Sequence, residues 1–321
     1  MNYRKLGMSG LNVSEVGLGC NNFGMLMNQQ ETNNVVSCAI DTGITLFDTA
    51  DVYGNKGKSE IFLGKALQKK RDKIVLATKF GLPMSNNIND KGGSRRYIIN
   101  AVEQSLKRLK TDYIDLYQIH RPDIETPIEE TLKALNDLII QGKIRYIGCS
   151  NFSGWQLVES RWKAEIFGLD NFISAQNGYS VINREIENDL TYLAQKYSVG
   201  ILPYFPLESG LLTGKYKYKQ TPKKGTRLSA WSNRKEVVNK FWSQENFNKV
   251  EKLNAISKKN NHSLIELAFG WLLNKEYVSS VIAGATKVSQ VKQNVKAGLY
   301  KITKNEISEI NKITDITTNS L

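Results

Sequence analysis

The chain has 321 residues, 40% of them apolar, and a formal net charge of +13. No apolar run approaches the roughly 20 residues that span a bilayer, so no membrane-spanning helix is expected. Cys20, Cys38 and Cys149 have no metal-ligand spacing, and their odd number argues against a disulfide framework and for a reducing compartment. The positive charge is mostly lysine scattered along helical segments, without interleaved aromatics, so no nucleic-acid partner is expected. The one dense cluster, KYKYKQTPKK at 215–224, suits a solvated loop or a phosphate-bearing small molecule. MNYRKLGMSG lacks the apolar core of a signal peptide, which points to the cytoplasm.

The segments 3–6 and 11–14 read as a β-hairpin. Short apolar runs then predict strands at 16–18, 45–47, 74–79, 113–119, 144–149, 172–176, 201–204 and 280–283. Helical periodicity fills the spaces between. SRRYIINAVEQSLKRL at 94–109 puts Ile98, Val102, Leu106 and Leu109 on one stripe, and 127–140 opens on proline with two early glutamates, where the helix dipole favours them. Segments 186–197 and 243–258 repeat the pattern, the latter opening the C-terminal helices. Eight strand–helix units with no break in composition predict one domain over 1–321, a (β/α)8 barrel with an N-terminal hairpin. An open doubly wound sheet with a second domain is the alternative, although no linker marks it. The longest non-periodic stretch, 205–242, follows the seventh strand, where a barrel keeps its active site, and reads as a ligand-covering loop. The tail 316–321 reads as frayed.

Asp48, Tyr53, Lys79 and His120 each stand at or just past the end of a predicted strand. Parallel, adjacent strands would bring a carboxylate, a phenol, an amine and an imidazole to one rim. Reducing a carbonyl needs a hydride on carbon and a proton on the developing alkoxide. Side chains supply no hydride, so a nicotinamide cofactor is implied. Tyrosine can give the proton if a neighbouring ammonium lowers its pKa from about 10. Lys79 suits that role with Asp48 holding its charge, and His120 can orient the carbonyl oxygen or assist proton movement. Taken singly, Asp48 and Lys79 could be a structural ion pair, Tyr53 a helix-entry aromatic and His120 a rim residue.

FDTADVYG, LATKFG, DLYQIHRPD, IRYIGCSNFS, QNGYS, PYFPLESGLLTGKY and VIAGATKVSQVKQN, in this order, resemble the aldo-keto reductase superfamily. The resemblance covers the chain from the hairpin to the last helix. It implies NADPH bound extended across the C-terminal rim of the barrel, with Tyr53 as acid, Lys79 and Asp48 as its tuning pair and His120 as orienter. Carried over by position, Gly19, Cys20 and Asn21 cross the cofactor near the ring, and Asp48 lies beside it. Ser150, Asn151 and Gln176 match contacts to the nicotinamide carboxamide, and Tyr204 the aromatic that stacks on the ring. Phe205, Pro206, Leu207, Ser209, Gly210 and Leu212 should track the pyrophosphate, with Lys215 adding a positive charge. The adenosine end matches the segment that runs from Gly284 to Asn294, with Thr286, Lys287 and Gln290 near the 2′-phosphate and Gln293 and Asn294 at the adenine. Glutamine stands at 293 where glutamate is commoner. Gln290 replaces a frequent arginine, and Arg227 in the long loop becomes the candidate for the 2′-phosphate, favouring NADPH over NADH.

Two partial motifs compete. Gly17 and Gly19 in GLGCNN begin a dinucleotide fingerprint but lack its third glycine. Tyr192–Lys196 and 300–304 have a Tyr-x-x-x-Lys spacing without an upstream glycine-rich loop, and read as surface and packing residues. His262 precedes Ser263, a candidate helix cap. A small, partly apolar carbonyl substrate is expected, met by Asn22, Phe23, Met25 and Met27 and by the segment 80–94. Arg121 is the sole candidate anchor for a charged substrate, with a structural role beside the histidine as the commoner reading of such an arginine. A cofactor-binding regulatory subunit, as in relatives that contact membrane channels, and an alcohol dehydrogenase running oxidatively are the other functional readings. The sequence leaves the oligomeric state open.

Overall fold

The computed structural model of the protein describes residues 1–218, 220, 229 and 242–314. It opens with an antiparallel hairpin of β1 (Tyr3–Lys5) and β2 (Asn12–Ser14). Eight parallel strands follow: β3 (Val16–Gly19), β4 (Leu46–Asp48), β5 (Val75–Phe80), β6 (Ile114–Ile119), β7 (Ile144–Ser150), β8 (Ser174–Gln176), β9 (Gly200–Ile201) and β10 (Val281–Gly284). Strands β3 to β9 pair in sequence order, and β10 returns to pair with β3. Backbone bonds carry β9 across to β10, with Ile201 N donating to Tyr277 O (2.7 Å), Ser279 N to Ile201 O (3.0 Å) and Ile282 N to Pro203 O (3.0 Å). The ring is the expected (β/α)8 barrel, and the open-sheet alternative falls.

Helices α1 (Gln29–Asp41), α2 (Tyr53–Leu67), α3 (Arg95–Leu109), α4 (Ile128–Ile140), α5 (Gly154–Phe167) and α6 (Leu190–Lys196) alternate with the strands. After the long loop come α7 (Gln244–Lys259), α8 (Leu264–Leu273), α9 (Val288–Gly298) and α10 (Lys304–Thr314). In α3 the predicted stripe is buried, Ser94 caps the first turn through Tyr97 N (3.3 Å), and Lys110 ends the helix in the left-handed conformation, φ 56°. No helix among the described residues is long and apolar enough to cross a membrane.

Strand alternation divides the apolar residues into two cores. Outward-facing Phe47, Leu76 and Tyr117 pack beneath the helices, whereas Leu46, Val75, Ala77, Leu116, Ile173, Leu202 and Ile282 fill the barrel. Leu6 and Val13 of the hairpin segment join the inner cluster, both with no exposed surface, and plug the N-terminal end. The same period of two then sets a polar layer at the other end. Asp48 follows Leu46, Lys79 follows Ala77 and Gln118 follows Leu116, each facing inward, and β8 adds Gln176.

Three elements depart from expectation. Segment 186–197 divides into a 3-10 turn, Glu185–Asn188, and the short α6. The seventh strand is regular only over Gly200–Ile201, although Leu202 N and Tyr204 N still donate to Ala175 O and Asn177 O on the β8 side (both 3.0 Å); on the β10 side Pro203 has no N–H to follow that of Ile201. Part of the long loop is regular, forming the 3-10 turn Glu208–Thr213. Arg227 and the tail 316–321 lie outside the described residues.

Candidate active site

The inward polar layer brings the quartet together. Lys79 has no exposed surface, and its ammonium donates to both oxygens of Asp48 (2.8 and 2.7 Å) and to Thr49 O (2.9 Å). Burial opposes the charge, but the Asp48 carboxylate and then the Tyr53 oxygen outweigh it, so the amine holds its proton more tightly than usual. A hydrogen bond with Tyr53 adds to that hold. Tyr53 opens α2, and Gly54 behind it takes φ 67° with room for no side chain, since a Cβ would stand 2.6 Å from Phe23 O. This turn after β4 swings the phenol back over the barrel mouth. The Lys79 ammonium is 5.1 Å from the centre of the Tyr53 ring, and the His120 ring meets that ring edge-on at 5.6 Å.

His120 is fixed by its backbone, its N donating to Phe80 O (2.8 Å) and its O accepting from Asn151 Nδ2 (2.9 Å). Burial, then the Lys79 and Arg121 charges, push its pKa down to about 2. The imidazole is therefore neutral at any working pH and offers a neutral hydrogen bond rather than a positive charge. Asp48 also accepts from Gln176 Nε2 (2.8 Å) and Gln118 Nε2 (3.2 Å). Gln118 is a site residue that sequence reasoning missed; its position two residues before His120 on an alternating strand was the available signal. Cys20, beside Asp48, is fully buried, and burial raises its thiol well above its ordinary pKa, so it is no nucleophile.

Two adjoining cavities open at this rim. The first, about 330 Å³, is lined by Gly19, Cys20, Asn21, Asp48, Tyr53, Leu82, His120, Arg121, Ser150, Asn151, Gln176, Tyr204, Phe205, Ile282 and Gly284. The second, about 340 Å³, shares Phe205, Ile282 and Gly284 with it and continues past Pro206, Leu207, Ser209, Gly210 and Lys215 to Thr286, Lys287, Gln290, Gln293 and Asn294. Together they make one elongated cleft from the quartet to the start of α9.

Its walls are tightly cross-tied. Tyr204 donates its hydroxyl to Asn151 Oδ1 (2.7 Å), Asn151 Nδ2 reaches Ser150 Oγ (3.0 Å), and Ser150 donates to Gln176 O (2.8 Å). Asn151 adopts φ 61°, and Phe205, Glu208 and Ser209 are also left-handed at φ 53°, 44° and 55°. Such a run of strained non-glycine residues is a feature of ligand-holding loops. At Gly210, φ 94°, a Cβ would stand 2.9 Å from Lys215 Nζ, so the lysine lies directly over the bare backbone. Ser209 Oγ is buried without a partner among the described residues. At the far end, Gln290 Oε1 accepts from Thr286 N (2.7 Å) and Lys287 N (3.2 Å), and the first turn of α9 faces the cleft.

The aldo/keto reductase family profile matches residues 15–315. The chain belongs to the aldo/keto reductase family. Among its relatives are a "Probable voltage-gated potassium channel subunit beta" of Arabidopsis thaliana, 37% identical over 92% of this chain and 91% of that protein, and "Uncharacterized oxidoreductase YrpG" of Bacillus subtilis, 34% identical over 98% and 96%. "L-glyceraldehyde 3-phosphate reductase" of Escherichia coli is 33% identical over 92% of this chain and 87% of its own.

Within this aldo/keto reductase, every cofactor candidate among the described residues lines the cleft except Leu212, whose side chain is buried in the outer core. The pocket expected after the first strand is different. Phe23 and Met27 belong to the hydrophobic core, Met25 is exposed and lines neither cavity, and Asn22 lines the second. Leu82, Tyr204, Phe205 and Ile282 supply the apolar walls instead. Tyr192 is exposed on α6, and Tyr300 donates to Glu306 (2.9 Å) beneath α10. Ser263 caps α8 with Glu266, and His262 bonds Glu306 (2.6 Å). No group of three metal-ligating residues occurs among the described residues.

Proposed function

We propose that this aldo/keto reductase reduces a small, partly apolar aldehyde or ketone to its alcohol, with NADPH as hydride source and Tyr53 as proton donor. The observation that carries the reading is the buried Lys79 ammonium, gripped by Asp48 and bonded to the Tyr53 phenol, which lines the first cavity. The carbonyl oxygen would sit between the Tyr53 hydroxyl and the neutral His120 ring. As the carbonyl carbon becomes tetrahedral, negative charge grows on that oxygen and Tyr53 gives it a proton. The oxyanion left on Tyr53 is stabilised by the adjoining Lys79 ammonium; because Asp48 already balances that ammonium, the three groups together carry one net negative charge until Tyr53 regains a proton. Gln118 and Gln176 hold the carboxylate from its other side and keep the ammonium aimed.

The fit of the cleft supports the cofactor assignment. Gly19, Cys20, Asn21, Ser150, Asn151, Gln176 and Tyr204 would hold the nicotinamide end. Phe205 to Gly210, Leu212 and Lys215 would follow the diphosphate, and Gly284, Thr286, Lys287, Gln290, Gln293 and Asn294 the adenosine, with Arg227 a further candidate at the 2′-phosphate. When bound, a reduced nicotinamide supplies the hydride that no side chain can. The reading takes residues 1–321 as one catalytic domain working in the cytoplasm.

Tyr53→Phe should keep NADPH affinity and lose turnover on a panel of carbonyls by about 10²–10⁴-fold, the usual contribution of a positioned acid. Near-normal turnover would remove Tyr53 from the mechanism. The channel-subunit relatives favour a second reading, a binding subunit with little turnover. NADPH binding by the wild type with no oxidation on any carbonyl would support it.

A further inference from the structure

Resting on the reductive reading above, we infer that the Arg121 guanidinium is the anchor for an anionic group on the substrate, so that the preferred carbonyls carry a carboxylate or phosphate. Four charge-bearing side chains meet at the reaction end of the cleft. Asp48 and Lys79 neutralise one another through two hydrogen bonds. His120 is uncharged, for the reasons of burial and neighbouring cations given above. That leaves Arg121, exposed and lining the same cavity as Tyr53, His120 and Tyr204, as its one uncompensated charge among the described residues.

Arginines near a carboxylate are ordinarily paired, and several here are: Arg4 with Glu15, Arg71 with Asp115, Arg108 with Glu60 and Arg184 with Glu187. Arg121 has no hydrogen-bond or ion-pair partner among the described residues. The nearest acid along the chain, Asp123, is committed elsewhere, accepting from Gly93 N (2.7 Å), Thr126 Oγ1 (2.7 Å) and Glu125 N (3.0 Å). The acid on the Tyr204 side, Glu208, is buried and takes the Ser180 hydroxyl (2.6 Å). A planar fork of donors is thus left facing the place where substrate enters, with the chemistry that matches a carboxylate or phosphate.

The test uses matched pairs: succinic semialdehyde against its methyl ester, and glycolaldehyde phosphate against glycolaldehyde. In the wild type the ratio of kcat/KM, charged over uncharged, should be about tenfold or more in at least one pair, the size expected of a charge-assisted contact. Which pair shows it separates carboxylate from phosphate recognition. Arg121→Gln should bring that ratio close to one, and Arg121→Lys should restore part of it, with the change mainly in KM. A wild-type ratio near one in both pairs, or a ratio that survives Arg121→Gln, overturns the inference while the reductase reading stands. If no carbonyl is turned over, the reductase reading fails by itself. Calorimetric titration with 4-hydroxybutyrate and with ethylene glycol monophosphate then decides the anchor. Binding of either that is lost in Arg121→Gln upholds it, and no binding, or binding unchanged by the substitution, overturns it.

Discussion

Asp51 lies two residues before Tyr53, almost fully buried, with one oxygen accepting from Tyr97 (3.2 Å) and the other without a partner among the described residues. Glu60 faces it from α2, Tyr97 and Arg108 from α3, and the buried Tyr117 from β6. Arg108 is spent on Glu60 (2.7 Å) and cannot fully serve both carboxylates. Burial, and then the Glu60 charge, push Asp51 up to about 7. A folded-state pKa above the unfolded value means that the native state holds the proton more tightly. This stabilising contribution is fully present below about pH 4 and is lost as pH rises towards 7. Asp51→Asn keeps an acceptor for Tyr97 and does not titrate. Its stability relative to wild type should improve by roughly 2–4 kcal/mol between pH 4 and pH 8, read from urea unfolding. A difference independent of pH would show that Asp51 is already charged in the native state. The quartet was legible in the sequence because strand ends can be read from short apolar runs. Asp51 and Gln118 acquire their settings only from neighbours 46 and 70 positions away, Tyr97 and Asp48 respectively.

At the level of elements, the turn into α9 carries the cofactor argument. Gln290 spends its side-chain oxygen on the Thr286 and Lys287 amides, which pins the turn and leaves the Lys287 side chain exposed at the cleft edge. If that lysine meets the 2′-phosphate, Lys287→Ala should weaken NADPH binding by about 10-fold and leave NADH nearly unchanged. Fluorescence quenching with both cofactors checks this, and equal losses would reduce Lys287 to a support of the turn. Helices with a clean stripe, such as α3, were readable from periodicity because one face is buried and the other wet. The break of 186–197 into two pieces was not. There Asp189 leaves the helical path, φ −145°, and its carboxylate accepts from Gly154 N (2.7 Å), serving the first turn of α5 instead. A long-range cap of this kind leaves no mark in local spacing.

For the whole molecule, strand–helix alternation made the barrel legible, whereas the division of its apolar residues into inner and outer cores depends on closure. The hairpin residue Leu6 shows this best: isolated in sequence between Lys5 and Gly7, it is completely buried in the inner cluster. Leu6→Ala should cost about 2–5 kcal/mol of unfolding free energy, as for other buried leucines, while the affinity of the distant cleft for NADPH stays close to wild type. Denaturant midpoints and cofactor titration of one preparation would check both. A loss below 1 kcal/mol would mean that the plug packs loosely. The excess of positive charge, without an ion-pair partner among the described residues at Lys215, Lys287 and Arg121 along one rim, takes on meaning only once the strands place those residues on one cleft.

Closure of the barrel floor by Leu6 and Val13 has a consequence for proton traffic. Leu6 and Val13, both fully buried, pack with Leu46, Ala77 and Leu116 on the side of the lumen away from the mouth. The ammonium is occupied by Asp48, Thr49 and Tyr53, so on the proposed mechanism a proton given up at Tyr53 would be replenished from the open rim, through the same mouth that would admit the carbonyl. Exchange of that proton with solvent is thereby tied to vacancy of the mouth. On that reading the acid would be reset once per visit, when the alcohol departs and water returns.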